Sequence, residues 1–184
     1  MTQALLVMDL QNGIVARVGD QADVLLDTLE RVIDAAREHG IPVIFVRVAF
    51  RPGAPEVSRR NQAFTALKSS SSMDETESST QIHPRLSLHE GDVLVTKRRV
   101  SAFAGSDLDV VLRSFEVDHL VLTGIATSGV VLSTTRHAAD LDYRLTVIGD
   151  ACADADPEVH RVLTEKVFPR QATVVSAAEW IANL

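Results

Sequence analysis

Short runs of β-branched and aliphatic residues alternate along this chain with segments whose apolar residues recur at helical spacing. Such alternation is typical of a parallel sheet that is covered by helices on both faces. The predicted strands cover, in chain order, residues 4–8, 43–48, 93–96, 119–123, 144–148 and 173–175. We therefore predict a doubly wound α/β fold, which binds its ligands at the carboxyl ends of the strands, near the point where the strand order reverses.

Local signals indicate where several helices begin and end. An apolar face over residues 25–36 predicts a helix that ends at Gly40, because glycine suits the left-handed position after a helix. Residues 106–109 have the spacing of a capping box. Asp156, followed by proline, is typical of an N-cap, and Ser176 is predicted to cap a last helix.

Composition and charge limit the classes of function. The chain of 184 residues suits one domain, 1–184, and 46% of the residues are hydrophobic, enough for a sizeable core. A formal net charge of −7 argues against nucleic acid and anionic membranes as partners and favours a small-molecule substrate or another protein. The N-terminus lacks a basic leader, and no apolar run reaches about 18 residues, so we expect a cytoplasmic protein.

The thiol and imidazole groups give no sign of a cofactor or metal site. A single cysteine, Cys152, excludes an intramolecular disulfide and a multi-cysteine metal site. The six histidines show none of the spacings of metal ligands. We expect neither a metal ion nor a cofactor.

Residues 50–85 interrupt the regular alternation. The segment contains a proline- and glycine-rich turn and a polar, serine-rich run over residues 69–80. Long insertions beside the carboxyl end of a strand are often lids or subunit contacts, but this composition fits a flexible surface loop equally well. The sequence leaves both alternatives open.

Three strand ends carry candidate chemistry. Asp9 directly follows the first strand, Lys97 closes the third, and the turn 124–131 leads from the fourth strand into a helix, where backbone amides can stabilise an anion. Taken singly, they also fit a turn-forming aspartate, a solvated lysine and a plain glycine-containing connection. Four neighbouring side chains are predicted to bind substrate, although solvated arginines and core aromatics are the alternatives: Gln11, Phe50, Arg99 and Phe103.

Taken together, these segments resemble the isochorismatase-like hydrolase superfamily, a cysteine hydrolase family that includes nicotinamidases and N-carbamoylsarcosine amidases. Ser101-Ala102-Phe103 after the lysine and residues 134–140 after the turn extend the resemblance, which runs from Asp9 to Trp180. It implies a three-layer α/β/α sandwich with a six-stranded parallel sheet, consistent with the six predicted strands. It also implies a homodimer or homotetramer.

The resemblance assigns roles to the strand-end residues. In the thiol members of the family an aspartate, a lysine and a cysteine form the catalytic triad, and the first two correspond to Asp9 and Lys97. Val130 stands at the position of the cysteine nucleophile, and its side chain cannot attack a carbonyl. The turn would form the oxyanion site, with a non-proline cis peptide bond at Ile125-Ala126; its residues are Ile125, Ala126, Thr127, Ser128 and Gly129.

Two classes of function remain open. The first is a hydrolase that needs no thiol, because isochorismatases without the cysteine use the aspartate as an acid to hydrolyse a vinyl ether. A direct contact with Lys97 would favour the carboxylate form of Asp9 and hence a base role in the free protein. No histidine is placed by sequence to act as a base for Ser128, and Cys152 follows the fifth strand, where a free cysteine is more often a small buried hydrophobe than a nucleophile. The second class is an inactive family member that binds a metabolite or serves as an oligomeric scaffold.

Overall fold

A computed structural model describes residues 2–70 and 73–184 of the chain. The strands are β1 (Gln3–Met8), β2 (Val43–Val48), β3 (Val93–Lys97), β4 (His119–Ile125), β5 (Arg144–Ala153) and β6 (Thr173–Val175). They form one six-stranded sheet in the order β3-β2-β1-β4-β5-β6, and every neighbouring pair is parallel. The predicted strands are confirmed, and β4 and β5 continue beyond their predicted ends.

Helices cover both faces of the sheet. They are α1 (Asn12–Val15), α2 (Ala22–Glu38), α3 (Gln62–Ser70), α4 (Leu108–Ser114), α5 (Leu132–Asp140), α6 (Pro157–Val162) and α7 (Ala177–Ala182). Within the described part of the chain, no helix combines the length and the apolar character needed to cross a membrane. The architecture is the predicted three-layer α/β/α sandwich.

The central strand β1 explains why the fold has two cores. Residues 4–8 are completely buried, as expected for a parallel strand that is covered on both faces. Leu5 and Val7 pack with α2 and α7, whereas Leu6 and Met8 point to the opposite face, toward α4 and α5. Burying both faces of one strand holds the two helical layers in a fixed position relative to the sheet.

Most of the predicted helix ends are confirmed. Gly40 has a φ of 65° after α2, and the Asp156 side chain accepts hydrogen bonds from the first turn of α6. Ser176 and Glu179 form a capping box on α7. The predicted capping box at 106–109 is wrong: Asp107 is the N-cap of α4 and makes no side-chain capping bond. The Ser106 hydroxyl donates to the Ala102 carbonyl and accepts from the Leu108 amide at 3.3 Å, so it contacts the start of α4 without forming the reciprocal box with Asp109.

The described part of the 50–85 insertion packs on the carboxyl end of β1 and β2. Phe50 pairs with Asp74, and Gln11 pairs with Ile82, through isolated β-bridges. Phe50 also stacks edge-on against Phe64 of α3, with ring centroids 5.5 Å apart. The segment therefore covers a sheet edge that already carries Asp9, while Ser71 and Ser72 of its polar run lie outside the described residues.

The strand order reverses between β1 and β4. From these two neighbours the chain winds outward in opposite directions, which leaves a crevice at their carboxyl ends. Met8 lies opposite Gly124 in the register, so Asp9 and Ile125 emerge side by side. Gly124 has a φ of 138°, and a Cβ atom at this position would lie 2.9 Å from the Met8 carbonyl carbon. Only glycine allows the two strands to approach this closely.

We predict that Gly124→Ala lowers the free energy of unfolding by about 3 kcal/mol, because the added methyl group would collide with the backbone of β1. Urea unfolding followed by circular dichroism measures the change. Gly149→Ala in β5 is the matched control, since a Cβ there would come no closer than 3.6 Å to its neighbours. Equal stability of the two variants would contradict the role given to Gly124.

Candidate active site

A buried ion pair forms the base of the crevice. The Lys97 ammonium lies 2.9 Å from Asp9 Oδ2, and the two side chains are 2% and 8% exposed. Lys97 Nζ also donates to the Arg99 carbonyl at 3.0 Å. Asp9 has a φ of 58°, so the chain turns away from the sheet at this residue. The two ends of the pair come from β1 and β3, which β2 separates.

One carboxylate oxygen of Asp9 is left without a partner. Oδ1 is buried and accepts no hydrogen bond from the described residues. Buried polar atoms are nearly always satisfied, so an unpaired one in a residue that lines a cavity indicates a place for a ligand atom or a water molecule. Asp9 can therefore offer a proton or a lone pair at Oδ1 without breaking its contact with Lys97.

Burial raises the pKa of Asp9 above its ordinary value of 3.8, although the charge and hydrogen bond of Lys97 oppose the shift. Desolvation disfavours the charged form of an acid, and here it outweighs the neighbouring ammonium group. The pKa of Asp9 is therefore shifted in the direction opposite to the one expected from the contact with Lys97 alone. Asp9 is consequently better suited to act as an acid than the sequence indicates.

A cavity of about 310 Å³ opens over the ion pair. Its volume is at the lower end of the range for small-molecule sites, roughly 300–1,000 Å³. Its walls are mainly aliphatic and aromatic, and Asp9, Lys97 and Arg17 are its charged members. The apolar lining residues are Ile14, Val18, Val48, Phe64, Leu67, Met73, Val100, Ile125, Ala126, Val130 and Ala155. Such a cavity has the size and the apolar walls to suit a small, mostly apolar ligand, with the Asp9 carboxyl group at its base.

The turn after β4 forms one wall of this cavity. The Ile125-Ala126 peptide bond is cis, as predicted. Ile125, Ala126, Gly129 and Val130 line the cavity, and Val130 is 2% exposed. Val130, which stands at the position of the expected cysteine nucleophile, therefore lies in the cavity wall, but its side chain ends in two unreactive methyl groups.

Two residues of the turn are occupied by other contacts. The Ser128 amide donates to Asp154 Oδ2 at 2.7 Å, so it is not free for an oxyanion. Burial alone would raise the pKa of Asp154, but the hydrogen bonds from Ser128 hold it below the ordinary value. Thr127 Oγ1 lies 2.8 Å from His160 Nδ1. The oxyanion role predicted for Thr127 and Ser128 is not favoured by this geometry, since both brace the turn from outside the cavity.

The position of Gln11 corrects its predicted role in substrate binding. Its amide donates to the Val48 and Thr80 carbonyls at 2.9 and 2.8 Å and accepts from the Val48 amide at 2.8 Å. The side chain is completely buried and does not line the cavity. Gln11 instead fastens the end of β2 and the insertion to β1, because its amide matches the backbone groups of both.

The other three predicted substrate contacts also lie elsewhere. Phe50 is buried behind Phe64, which is the ring that lines the cavity. Phe103 packs against His137 at a centroid distance of 5.0 Å, on the side of the sheet that α4 and α5 cover. Arg99 lies in a separate open groove and donates to the backbone carbonyls of Arg98 and Glu56. These three residues lie beside strand ends as predicted, but their side chains do not point into the cavity.

Other nucleophiles are poorly placed. Burial raises the pKa of the Cys152 thiol to about 12, so the thiol stays protonated and unreactive. Ser128 does not line the cavity, and the nearby His160 contacts Thr127 instead. Across residues 2–70 and 73–184, no group of three histidine, cysteine or acidic residues is arranged to hold a metal ion.

Sequence reasoning missed much of the cavity wall. Phe64 and Leu67 are three residues apart on α3, a helical spacing that was a usable signal within the insertion. Arg17 carried no recognisable signal, because it is not at a strand end. It lies in a 3-10 segment, Ala16–Gln21, that follows α1 and brings Val18 and Arg17 to the cavity.

Comparisons with known proteins agree with this geometry. The family model described as "Isochorismatase domain" matches residues 3–179. The chain is 36% identical to the uncharacterized isochorismatase family protein YwoC of Bacillus subtilis, covering 91% of this chain and 86% of the relative. It is 34% identical to ureidoacrylate amidohydrolase RutB of Pseudomonas syringae, covering 84% of this chain and 72% of that enzyme.

A solved structure of an isochorismatase family protein from Burkholderia thailandensis is 32% identical and superposes with a TM-score of 0.87, covering 98% of this chain and 94% of that chain. The chain belongs to the isochorismatase family, a family of the hydrolase superfamily that includes amidohydrolases such as RutB. The resemblance read from the motifs is thereby confirmed.

We predict that Lys97→Met lowers the free energy of unfolding by about 3 kcal/mol near neutral pH, because it leaves the Asp9 carboxylate buried and unpaired. A raised pKa in the folded state means that protonated Asp9 favours folding. The loss should therefore shrink as the pH falls toward the ordinary carboxyl value and grow as the pH rises through the raised one. Denaturant unfolding at a series of pH values tests this.

The double variant Asp9→Asn/Lys97→Met is the control, and it should recover most of the loss because no buried charge remains. A loss that does not change with pH would contradict the assignment of the effect to Asp9.

We predict that Gln11→Leu destabilises the fold by about 2 kcal/mol, because it leaves three buried backbone groups without partners. Chemical denaturation measures the loss. Gln62→Leu on the exposed surface of α3 is the control and should change stability by less than about 0.5 kcal/mol. If Gln11→Leu unfolds with the same free energy as the wild type, the structural role proposed for the Gln11 amide is wrong.

Proposed function

We propose that the chain is a thiol-independent hydrolase of a small, anionic metabolite, in which Asp9 is the proton donor and Lys97 orients and polarises it. The Asp9 carboxyl group carries this proposal, because it lines an apolar cavity, keeps one buried oxygen unpaired and has a raised pKa. A vinyl ether, or a related C–O or C–N bond, is the favoured substrate group. A thiol is not needed for its hydrolysis.

The proposed reaction has two stages. The Asp9 carboxylic acid protonates the terminal carbon of the enol ether, forming a C–H bond and leaving an oxocarbenium ion beside the Asp9 carboxylate. A water molecule then adds to the cation and returns its proton to Asp9. The resulting hemiketal breaks its C–O bond to give a carbonyl compound and an alcohol. Lys97 stabilises the carboxylate that exists between the two stages.

The second candidate is an inactive member that binds a metabolite or serves as a scaffold. Val130 favours this candidate. It stands at the position of the cysteine nucleophile of the thiol members, and its unreactive side chain lines the cavity. Retention of the costly Asp9–Lys97 pair favours the hydrolase instead, since an unused buried charge pair is often replaceable by apolar residues without loss of stability.

The proposal extends to the protein's setting. We extend it to a homodimer or homotetramer in the cytoplasm that acts on a small molecule. The net charge of −7 supports only the expectation that nucleic acid and anionic membranes are not partners. Light scattering on the purified protein measures the assembly directly.

We predict that the protein hydrolyses a vinyl ether from a panel that includes isochorismate, and that Asp9→Asn lowers the rate by about 10²- to 10⁴-fold through loss of the general acid. Because the protonated form of Asp9 is the active one, kcat should fall as the pH rises through the raised pKa of Asp9. Steady-state kinetics over a pH series provides the measurement. A pH profile that survives in Asp9→Asn would exclude Asp9 as the acid.

The same panel, extended with nicotinamide-like amides, separates the two candidates. Amide hydrolysis that appears in Val130→Cys, with no vinyl-ether turnover by the wild type, would indicate a scaffold that has lost its chemistry. Val131→Cys is the control, since Val131 is equally buried but does not line the cavity.

A further inference from the structure

The arginines around the carboxyl edge of the sheet differ in whether their guanidinium groups are available to a ligand. Arg47 donates to Thr96 and Gln81, and Arg98 pairs with Glu75 at 2.8 Å. Neither of these arginines lines the cavity over the ion pair. Their guanidinium groups are used by the protein itself.

Arg17 is different. Its side chain is exposed and lines the cavity, and no ion pair or hydrogen bond joins it to another residue in the described ranges. The neighbouring Val15 and Val18 are 3% and 5% exposed, so the backbone that carries Arg17 is anchored in the core. An exposed guanidinium group at the wall of a cavity can bind an anion through two parallel hydrogen bonds.

The other cation of the cavity is already committed. Lys97 contacts Asp9 and the Arg99 carbonyl, which leaves little capacity for a further anion. An anionic group placed on Lys97 would also come close to the Asp9 carboxyl group, with which it would compete for the ammonium. Arg17 is thus the cation that an anionic ligand would meet without displacing a protein contact.

We propose that Arg17 determines substrate specificity by binding the carboxylate of a small monoanion whose apolar body fills the cavity and whose reacting bond lies over Asp9. The proposal rests on the proposed function for the reaction, but it concerns recognition and is tested by binding. The aliphatic and aromatic walls suit the apolar body, and the volume of about 310 Å³ suits a ligand about the size of one substituted ring.

Recognition by Arg17 would also support the chemistry. The ligand's negative charge, brought into a cavity of low polarity, further disfavours the ionised form of Asp9. An anionic substrate would therefore help to keep its own proton donor protonated. A neutral analogue of the same shape would bind without this effect.

Isothermal titration calorimetry with benzoate and its neutral analogue benzamide tests the proposal. The wild type should bind benzoate more tightly than benzamide, and Arg17→Gln should weaken benzoate by about tenfold while leaving benzamide unchanged. Arg17→Lys should be intermediate, because it keeps the charge but loses the planar pair of donors. Arg113→Gln, which removes an equal charge from a residue 77% exposed on α4, should bind both probes as the wild type does.

A second variant locates the binding. Val130→Phe, with its folding checked by circular dichroism, fills the cavity and should abolish binding of both probes. The proposal is overturned if the wild type does not prefer benzoate, if Arg17→Gln binds it normally, or if Val130→Phe still binds it. Normal carboxylate selectivity without vinyl-ether turnover would leave recognition by Arg17 intact and reject only the proposed reaction.

Discussion

The reversal of strand order between β1 and β4 is the constraint on which the rest of the site depends. Two neighbouring strands whose connections leave in opposite directions cannot both be covered at their carboxyl ends, so a crevice remains. Gly124 lets the strands approach closely enough that Asp9 and the Ile125-Ala126 turn emerge together. The insertion then closes the crevice from above with Phe64, and a surface groove becomes a cavity.

Within that crevice, burial and charge act against each other on one carboxyl group. Lys97 makes the ionised form of Asp9 tolerable, while desolvation keeps its pKa raised. The balance gives a group that can exist in either protonation state, which a general acid requires. Val130 removes the covalent route through a thiol, and proton transfer by Asp9 is the chemistry that we propose in its place.

The candidate site was predictable to the extent that its residues follow strands. Asp9, Lys97 and the turn after β4 were identified because parallel strands end at one edge of a sheet, and the structure brings them together. Gln11, Phe50 and Arg99 occupy the same edge but serve the protein's own backbone and core. Sequence position alone does not distinguish these residues from Asp9. The direction and the partners of a side chain depend on segments that are far away in the chain.

The sequence by itself determined the order of strands and helices, the two buried faces of β1, most helix ends and the absence of a thiol at position 130. These features depend on periodicity and residue type, which are local properties. The tertiary structure decided which polar atoms have partners. The unpaired Oδ1 of Asp9, the commitment of Gln11 and the availability of Arg17 arise from contacts between segments distant in sequence, and local patterns do not encode such contacts.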